Sequence, residues 1–445
     1  MPNLTQLRLA AREIFNEALL AIDPGAAVRR AVRLEDAHLS VRDTVFDVST
    51  QQSIYAIAIG KAAFAMASAL DEILAGKLVA GVLSSNAPHG TPALPLWQVF
   101  RGGHPEPNEQ SLLAAQASFD LLQRAEDERA LVIFLISGGG SAMIEWPIAE
   151  DIALPDLRSA NKALVNCGAS IGEINAVRRA FSAVKGGRLA DRAPHGNQIT
   201  LITSDVPPGQ EGNVASGPTL AQRDDAHDPR AVIARYNLRS QLPEAILRTI
   251  DIESPVSDPV DSTSLRRHFV LLDNQSALAA ASEAARRLGF VTEVADDISD
   301  QQIEDGCSAL QQRLGQLGEL ARAQPNTNAV CLISGGEFAC PVRGDGIGGR
   351  NLETALRLAM SPGSPNTEPF VALCAGTDGI DGNSPAAGAI VDRTTIARAR
   401  AIGLDPLGFL DRSDGYSFFV ALGDAIATGP TGTNVRDLRI LLHSR

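Results

Sequence analysis

The residues of this chain best suited to chemistry stand at the ends of apolar runs. Ile136-Ser137-Gly138-Gly139-Gly140-Ser141-Ala142 directly follows the run Leu131-Val132-Ile133-Phe134-Leu135. A short run of this kind reads as a buried strand of a parallel sheet. Three glycines at its carboxyl end let the backbone turn sharply and expose consecutive N–H groups, a concave row that suits an anion such as phosphate. A tight strand-to-helix turn with small residues for packing fits the same letters. No G-x-x-x-x-G-K-[ST] is present, so a phosphate site here is not a P-loop. No G-x-S-x-G is present either, so Ser137 is not a nucleophile on an elbow.

Other charged residues occupy similar positions. Gly60-Lys61 follows Ile54–Ile59, where the lysine can offer a cation beside a helix N-terminus, itself favourable to anions. Read alone, Lys61 is equally a solvated residue on a first helical turn. Asp205 follows the strand-like Ile199–Thr203 and precedes Pro207-Pro208, which stiffen its loop. It can hold Mg²⁺, accept a hydroxyl proton, or cap a turn. Arg350 follows Gly344-Asp345-Gly346-Ile347-Gly348-Gly349 and can clamp a carboxylate or phosphate through two parallel bonds. That glycine run matches G-x-G-x-x-G. Against the dinucleotide reading, the preceding stretch is short and broken by Pro341, and Glu368 stands before its strand rather than after it. Ser334-Gly335-Gly336-Glu337 repeats the Ser-Gly-Gly pattern in the second half of the chain. Asp378 and Asp381 lie in Asp378-Gly379-Ile380-Asp381-Gly382-Asn383, which lacks EF-hand spacing but suits Mg²⁺, a substrate contact, or a glycine-shaped turn. The seven histidines form no ligand pattern, and His89 and His104 read as loop residues.

Alternating elements must position these groups. Leu7–Ile22, Ala62–Leu74, Ser111–Arg124, Asn175–Leu189, Ala277–Leu288 and 302–323 read as helices. Residues 54–59, 79–84, 131–135, 199–203, 268–272, 329–333 and 370–374 read as strands. The alternation predicts α/β layers with largely parallel sheets in both halves. A Pro-, Ser- and Asp-rich stretch from Ile252 to Ser264 predicts the boundary between a domain at 1–252 and one at 265–445, with a hinge at 253–264.

The composition agrees with this plan. The 445 residues are 44% hydrophobic, 20% charged and only 4% aromatic, which favours helices on sheets over a β-sandwich. A net charge of −13 argues against nucleic acid or an anionic membrane as partner. No uninterrupted apolar run approaches the ~20 residues of a membrane span. Five cysteines without a C-x-x-C pair read as reduced, buried thiols, and the N-terminus carries no signal-type segment, so a cytoplasmic protein is expected.

Taken together, IAIGKAAFAMA, LISGGGSAM, NAVRRAFSAVKGGRLA, TSDVPPGQEGNVASGPT, LISGGE, GIGGRNLETAL, CAGTDGIDGNSPAAGAIVD and TGPTGTNVRDL resemble the class II glycerate 2-kinases, whose C-terminal half is called MOFRL. The resemblance runs from Ile57 to Leu438. One departure is Pro207-Pro208-Gly209, where relatives often carry a single proline before Gly-Asp. The resemblance implies a Rossmann-like N-terminal α/β/α domain, a smaller C-terminal α/β domain and an active cleft between them. It implies ATP- and Mg²⁺-dependent phosphorylation of D-glycerate to 2-phosphoglycerate, with Lys61, Asp205 and Arg350 as cleft residues. On that footing Lys61 and Arg350 bind the glycerate carboxylate and the transferring phosphoryl group. Asp205 orients Mg²⁺ or accepts the 2-hydroxyl proton. Ser137, Gly138, Gly139, Gly140, Ser141 and Lys185 hold nucleotide phosphates. Gly336, Glu337 and Asp378 join the substrate or nucleotide site, and Asp381 is a further metal candidate. Expected partners are D-glycerate and a nucleotide, and a homodimer is left open. The alternatives are a nicotinamide-dependent hydroxypyruvate reductase, a label some relatives carry, and a non-catalytic phosphometabolite-binding protein.

Overall fold

The computed structural model describes residues 2–48, 52–86, 93–220, 227–252, 264–322, 329–361 and 369–444. They form two compact units. One is Pro24–Leu271; the other joins Met1–Asp23 to Leu272–Arg445.

The Pro24–Leu271 unit begins with a small antiparallel sheet, β1 (Val32–Glu35), β2 (His38–Val41) and β3 (Thr44–Asp47). Its main sheet holds β4 (Ile54–Ile59), β5 (Leu78–Ser85), β6 (Trp97–Arg101), β7 (Leu131–Ser137), β8 (Gln198–Thr203) and β9 (Arg266–Leu272) in the order β6-β5-β4-β7-β8-β9. Strands β6 through β8 pair in parallel. Every residue of β4, β7 and β8 is buried, because helices and loops cover both faces, and this is why these strands read as apolar runs rather than alternating ones. From β4 the polypeptide steps outward to β5 and β6, then returns to β7 and steps outward the other way. The strand order therefore reverses between β4 and β7. In open parallel sheets ligands bind beyond the strand ends at such a reversal.

Helix Glu109–Asp127 leads back from β6 to β7. Asn108 caps its start: Asn108 Oδ1 accepts from the Ser111 N–H at 2.9 Å, and Ser111 Oγ accepts from the Asn108 N–H at 3.1 Å. It buries Ala114, Ala115, Phe119 and Leu122 in one cluster with Tyr55, Ile57, Val132 and Phe134. A second cluster gathers helices Leu154–Asn166, Ile171–Phe181, Pro229–Arg235 and Glu244–Asp251 around Leu157, Val177, Phe181, Ile233 and Ile246.

The other unit holds one six-stranded sheet of β10 (Val291–Val294), β11 (Ala329–Ser334), β12 (Phe370–Gly376), β13 (Gly388–Asp392), β14 (Ala425–Ile426) and β15 (Asp437–Ser444), ordered β10-β11-β15-β12-β13-β14. Only the β10–β11 pair is parallel among these pairings; β15 inserts antiparallel between β11 and β12. The expectation of largely parallel sheets thus holds for the first unit and is corrected for the second. The last strand of the sequence enters the middle of the sheet, and no local pattern announces that.

Two further expectations about organisation change. The first helix, Leu4–Ala21, belongs with the C-terminal unit rather than with residues 1–252. Its stripe of Leu7, Ala11, Ile14, Phe15 and Ala18 packs with Leu278, Ala281 and Ala285, and Arg8 pairs with Asp392 at 2.6 Å and with Asp424. The strand expected to open the second domain, now β9, instead edges the first unit's sheet beside β8, where Leu265 O accepts from the Gln198 N–H at 2.9 Å. The hinge expected at 253–264 lies outside the described residues except for Ser264. Among the described residues no helix is long and apolar enough to cross a membrane. All five cysteines are unbridged, with Cys307, Cys331 and Cys374 buried.

Candidate functional site

The carboxyl ends of β4 and β7 are knitted together where the strand order reverses. Ser137 Oγ donates to Ile59 O at 3.2 Å and accepts from the Ala62 N–H at 3.0 Å. The Lys61 N–H donates to Gly138 O at 2.9 Å, and the Gly60 N–H to Ser84 O at 3.1 Å. Gly60 sits at φ +114°, and a Cβ there would overlap the Ser137 carbonyl and hydroxyl, so only glycine fits. These bonds fix Lys61 just beyond β4, beside the turn that follows β7.

The triple-glycine turn is lined by side chains from three other strand ends. A Cβ on Gly138 would overlap Asp205 Oδ2. A Cβ on Gly139, at φ +80°, would come within 3.2 Å of Lys61 Cγ and 3.1 Å of His104 Cδ2. Lys61 after β4, His104 after β6 and Asp205 after β8 therefore converge on one bare stretch of backbone. Lys61 and Asp205 are half-buried and His104 is exposed. Ser141 Oγ bonds Ser216 Oγ at 2.8 Å, Ser216 Oγ donates to Asn175 Oδ1 at 2.8 Å, and Asn175 Nδ2 donates to Asn213 O at 3.2 Å. The structure thus brings together Lys61, Asp205, Ser137, Gly138, Gly139, Gly140 and Ser141. A cation, a carboxylate and a glycine turn in this setting can hold and orient a phosphoryl group.

Lys185 has a different setting. The helix expected over 175–189 spans Ile171–Phe181, and Gly186 and Gly187, at φ +67° and +87°, turn back to donate to Ser216 O and Gly217 O. Lys185 is 1% exposed, and its ammonium pairs with the buried Glu145 carboxylate, which also accepts from Ser182 Oγ at 2.5 Å. Burial pushes the Lys185 pKa down, against the pull of Glu145. The expectation that Lys185 reaches nucleotide phosphate is therefore corrected: its ammonium is engaged inside the fold.

In the second unit the candidates gather around Arg350, the first residue of helix Arg350–Met360. Its Nε donates to Asp437 Oδ2 at 2.6 Å and Nη2 to Asp437 Oδ1 at 3.3 Å; Nη2 also pairs with Glu337 Oε1 at 2.9 Å. Burial opposes the charge of Arg350, but Asp437 and Glu337 outweigh it and raise its pKa above the ordinary arginine range. All three contacts use Nε and Nη2, so the Nη1 edge points away from these carboxylates. Glu337 follows the Ser334-Gly335-Gly336 turn, in which Gly336 adopts φ +79° and its N–H donates to Asn274 Oδ1 at 3.0 Å.

Asp381, expected as a metal candidate, is 2% exposed and caps the same helix. Its oxygens accept from the N–H groups of Asn351 at 3.1 Å and Leu352 at 2.8 Å. Burial raises its pKa to about 7 against those bonds. A carboxylate holding the helix start in this way is not free to ligate metal, and among the described residues no group of three or more His, Cys, Asp or Glu could hold an ion. Asp378 is half-buried, and its Oδ1 accepts from the Ile380 N–H at 3.1 Å, an Asx turn. The glycines of Gly344–Gly349 serve packing: Cβ atoms on Gly344, Gly346 and Gly348 would press on the backbone of 412–415. No strand is described directly before them, so the dinucleotide reading finds no footing.

Sequence reasoning passed over His104 and Asp437. For His104 the signal was the Gly102-Gly103-His104-Pro105 turn directly after a strand. For Asp437 nothing local distinguishes an acid at the start of a strand.

The first unit's strand-end site and the second unit's arginine cluster define a two-domain α/β protein, and comparison with known proteins gives its kind. Residues 10–251 match the domain of unknown function DUF4147, and residues 330–437 match the MOFRL family. The chain is 32% identical to a D-glycerate 2-kinase of Thermotoga maritima, covering 98% of both proteins. It is 34% identical to a glycerate 2-kinase of Pyrococcus horikoshii, over 98% of this chain and 97% of the other. A protein of Agrobacterium vitis named as a putative hydroxypyruvate reductase is 33% identical over 99% of this chain and 95% of its own. The crystal structure of the Thermotoga maritima glycerate kinase superposes with a TM-score of 0.79 at 31% identity, covering 98% of this chain and 99% of that one. The chain belongs to this glycerate 2-kinase family and is a kinase.

Proposed function

We propose that this protein transfers the terminal phosphoryl group of ATP, with Mg²⁺, to the 2-hydroxyl of D-glycerate, giving 2-phospho-D-glycerate. The observation that carries the reading is the convergence of Lys61 and Asp205 on the triple-glycine turn where the strand order reverses. Phosphoryl transfer asks a protein for positioning and charge neutralisation more than for covalent chemistry. In this reading Lys61 binds the transferring phosphoryl group. Asp205 accepts the 2-hydroxyl proton or helps hold the metal. The turn at 137–141 accommodates phosphate oxygens. In the other unit Arg350, held by Asp437 and Glu337 through one edge, keeps Nη1 for an anionic group, with Asp378 beside Asp437 in the same cluster.

The residues present fit both groups. Glycine backbone that any Cβ would fill suits a phosphate, and a half-buried carboxylate beside it suits Mg²⁺, which binds through one or two carboxylates plus phosphate oxygens. Bound there, the metal neutralises the charge of the β- and γ-phosphates. The hydroxypyruvate reductase name of some relatives supports a second reading, but the packing role of Gly344–Gly349 weighs against a nicotinamide site. The test offers the purified protein a mixture of D-glycerate, ATP and Mg²⁺, beside hydroxypyruvate with a reduced nicotinamide cofactor. ATP consumption that needs both glycerate and the divalent ion, with phosphorus NMR placing the new ester on O2, is the expected result. Nicotinamide-dependent reduction without kinase turnover would replace this reading.

A further inference from the structure

A cavity of about 550 Å³ in the Pro24–Leu271 unit has no role in the chemistry described so far. It lies at the carboxyl end of the parallel sheet. Ile202, three residues before Asp205, forms an apolar wall with Leu220 and with Val270 of β9. The remaining walls come from the first residues of helix Ile171–Phe181, the 209–213 loop and Arg179. Its size and its mix of aliphatic wall with a few polar groups suit a compact organic ligand.

The charge around it decides what kind. Arg179 is 9% exposed. Its Nη2 donates to Gly212 O at 2.6 Å and Asn213 Oδ1 at 2.9 Å, and its Nε to Ser216 O at 3.3 Å, all neutral acceptors. Burial and the neighbouring Arg188 both lower its pKa. Arg178 likewise bonds the neutral Asn161 Oδ1 at 2.5 Å and Asn175 Oδ1 at 3.4 Å, and burial lowers its pKa to about 10 despite Glu145. Arg188 donates to the carbonyls of Arg179 and Ser182. The two carboxylates near these cations are already paired, Glu145 with Lys185 and Asp191 with Arg266. Glu211 on the cavity wall accepts from the Gly209 N–H at 2.8 Å. Residues 178–188 thus concentrate positive charge in the interior of a protein whose net charge is −13. A sequestered cation without a counter-ion is costly, and an anionic ligand removes that cost.

The cavity is also wired to the glycine turn. Asn213 on its wall bonds Asn175, which bonds Ser216, which bonds Ser141. We propose that this cavity binds the nucleoside polyphosphate, with base and ribose against Ile202, Leu220 and Val270 and phosphate facing Arg179. The identity of the anion rests on the phosphotransfer reading; its negative charge and its place rest on the cavity itself.

The test follows fluorescence of mant-labelled ATP on the full-length protein, together with KM values for ATP and D-glycerate. Arg179→Gln is expected to weaken nucleotide binding and raise the KM for ATP roughly 30-fold, leaving the KM for glycerate unchanged. Gly172→Leu provides a second variant. A Cβ on Gly172 approaches His227 at 3.5 Å, an ordinary contact, so the longer side chain enters the cavity without moving backbone. It should weaken mant-ATP binding even if Arg179→Gln fails to fold. Unchanged nucleotide affinity in Gly172→Leu and in any folded Arg179→Gln overturns the proposal, as does displacement of the probe by inorganic phosphate but not by ADP. Normal glycerate phosphorylation with unaltered ATP constants in the variants sinks the cavity assignment alone. Nucleotide binding that the variants abolish, in a wild-type protein that never phosphorylates glycerate, sinks the kinase reading alone.

Discussion

The two Ser-Gly-Gly turns of this protein share a backbone and differ in everything around it. Ser137 donates to Ile59 O after one buried strand, and Ser334 donates to Ile298 O at 2.6 Å after another. The second glycine takes φ +80° in the first turn and +79° in the second. In both, a Cβ on the first glycine would collide with a side-chain oxygen: that of Asp205, just after the neighbouring strand β8, in one, and that of Asn274, the first residue of helix Asn274–Arg287, in the other. There the likeness stops. Asn274 is neutral and tied down, donating to Val435 O at 2.7 Å and Asp437 O at 3.0 Å while accepting from the Gly336 N–H. Beneath it Arg439, 1% exposed, bonds Ser334 Oγ and the carbonyls of Gly335 and Gly336 and stacks on Phe338 at 3.6 Å. That turn is braced from below and carries Glu337 to Arg350. The first turn instead meets an ionisable pair, Lys61 and Asp205. One strand-end geometry serves as a scaffold in one unit and as a candidate reaction site in the other, and the residues pressed against the glycines decide which.

Exchanging those residues breaks the comparison most directly. Asp205→Asn and Lys61→Ala should each lower kcat by about 10²–10³ while circular dichroism stays unchanged. Near-normal turnover in either would return both residues to the role of solvated charges. Arg350→Ala should cut kcat/KM for glycerate by about 10², and Arg350→Lys should recover little, because an ammonium lacks the planar fork that bonds Asp437 and Glu337 on one edge while keeping another open. Full rescue by lysine would show that only the charge matters. The reciprocal exchange, Asn274→Asp, should act on stability instead. A carboxylate facing the carbonyls of Val435 and Asp437 loses two donated bonds, at a cost of about 3 kcal/mol read from the denaturation midpoint of the C-terminal unit. A stable Asn274→Asp variant would mean that the second turn is not held as described.

The last effect concerns pH. Asp381 has its pKa raised to about 7, against about 3.9 in an unfolded polypeptide. Between those values the folded state retains a proton that the unfolded state has lost. Its contribution to stability is therefore complete below about pH 4 and fades as pH rises through 7. Asp381→Asn should flatten that slope in urea midpoints measured from pH 4.5 to 7.5. A slope equal to that of the parent protein would show that Asp381 is not the titrating group.

Lys61, Asp205 and the triple-glycine turn are legible in the sequence because parallel sheets place ligands at strand ends, and a buried strand followed by glycine or proline marks such an end. Arg350 is legible on a different ground, as a cation that follows a glycine run and opens a helix. Lys185 misleads because NAVRRAFSAVK has helical letters up to the lysine, whereas the helix ends at Phe181 and Gly186 and Gly187 turn the backbone back, leaving the ammonium buried against Glu145. Asp381 misleads because a capping carboxylate and a metal-binding one look alike until the helix it caps is known.

The sequence by itself therefore determined the α/β class, the buried strands and the turns that end them, since each follows from local hydrophobicity and backbone freedom. Only the tertiary structure decided that the first helix joins the C-terminal unit, that β9 edges the first sheet and that β15 enters the middle of the second. It alone decided that Asp205 meets the glycine turn while Asp381 caps a helix. Those are pairings between residues far apart in the sequence, and their energies depend on which groups are left without water or without a counter-charge once the whole protein has packed.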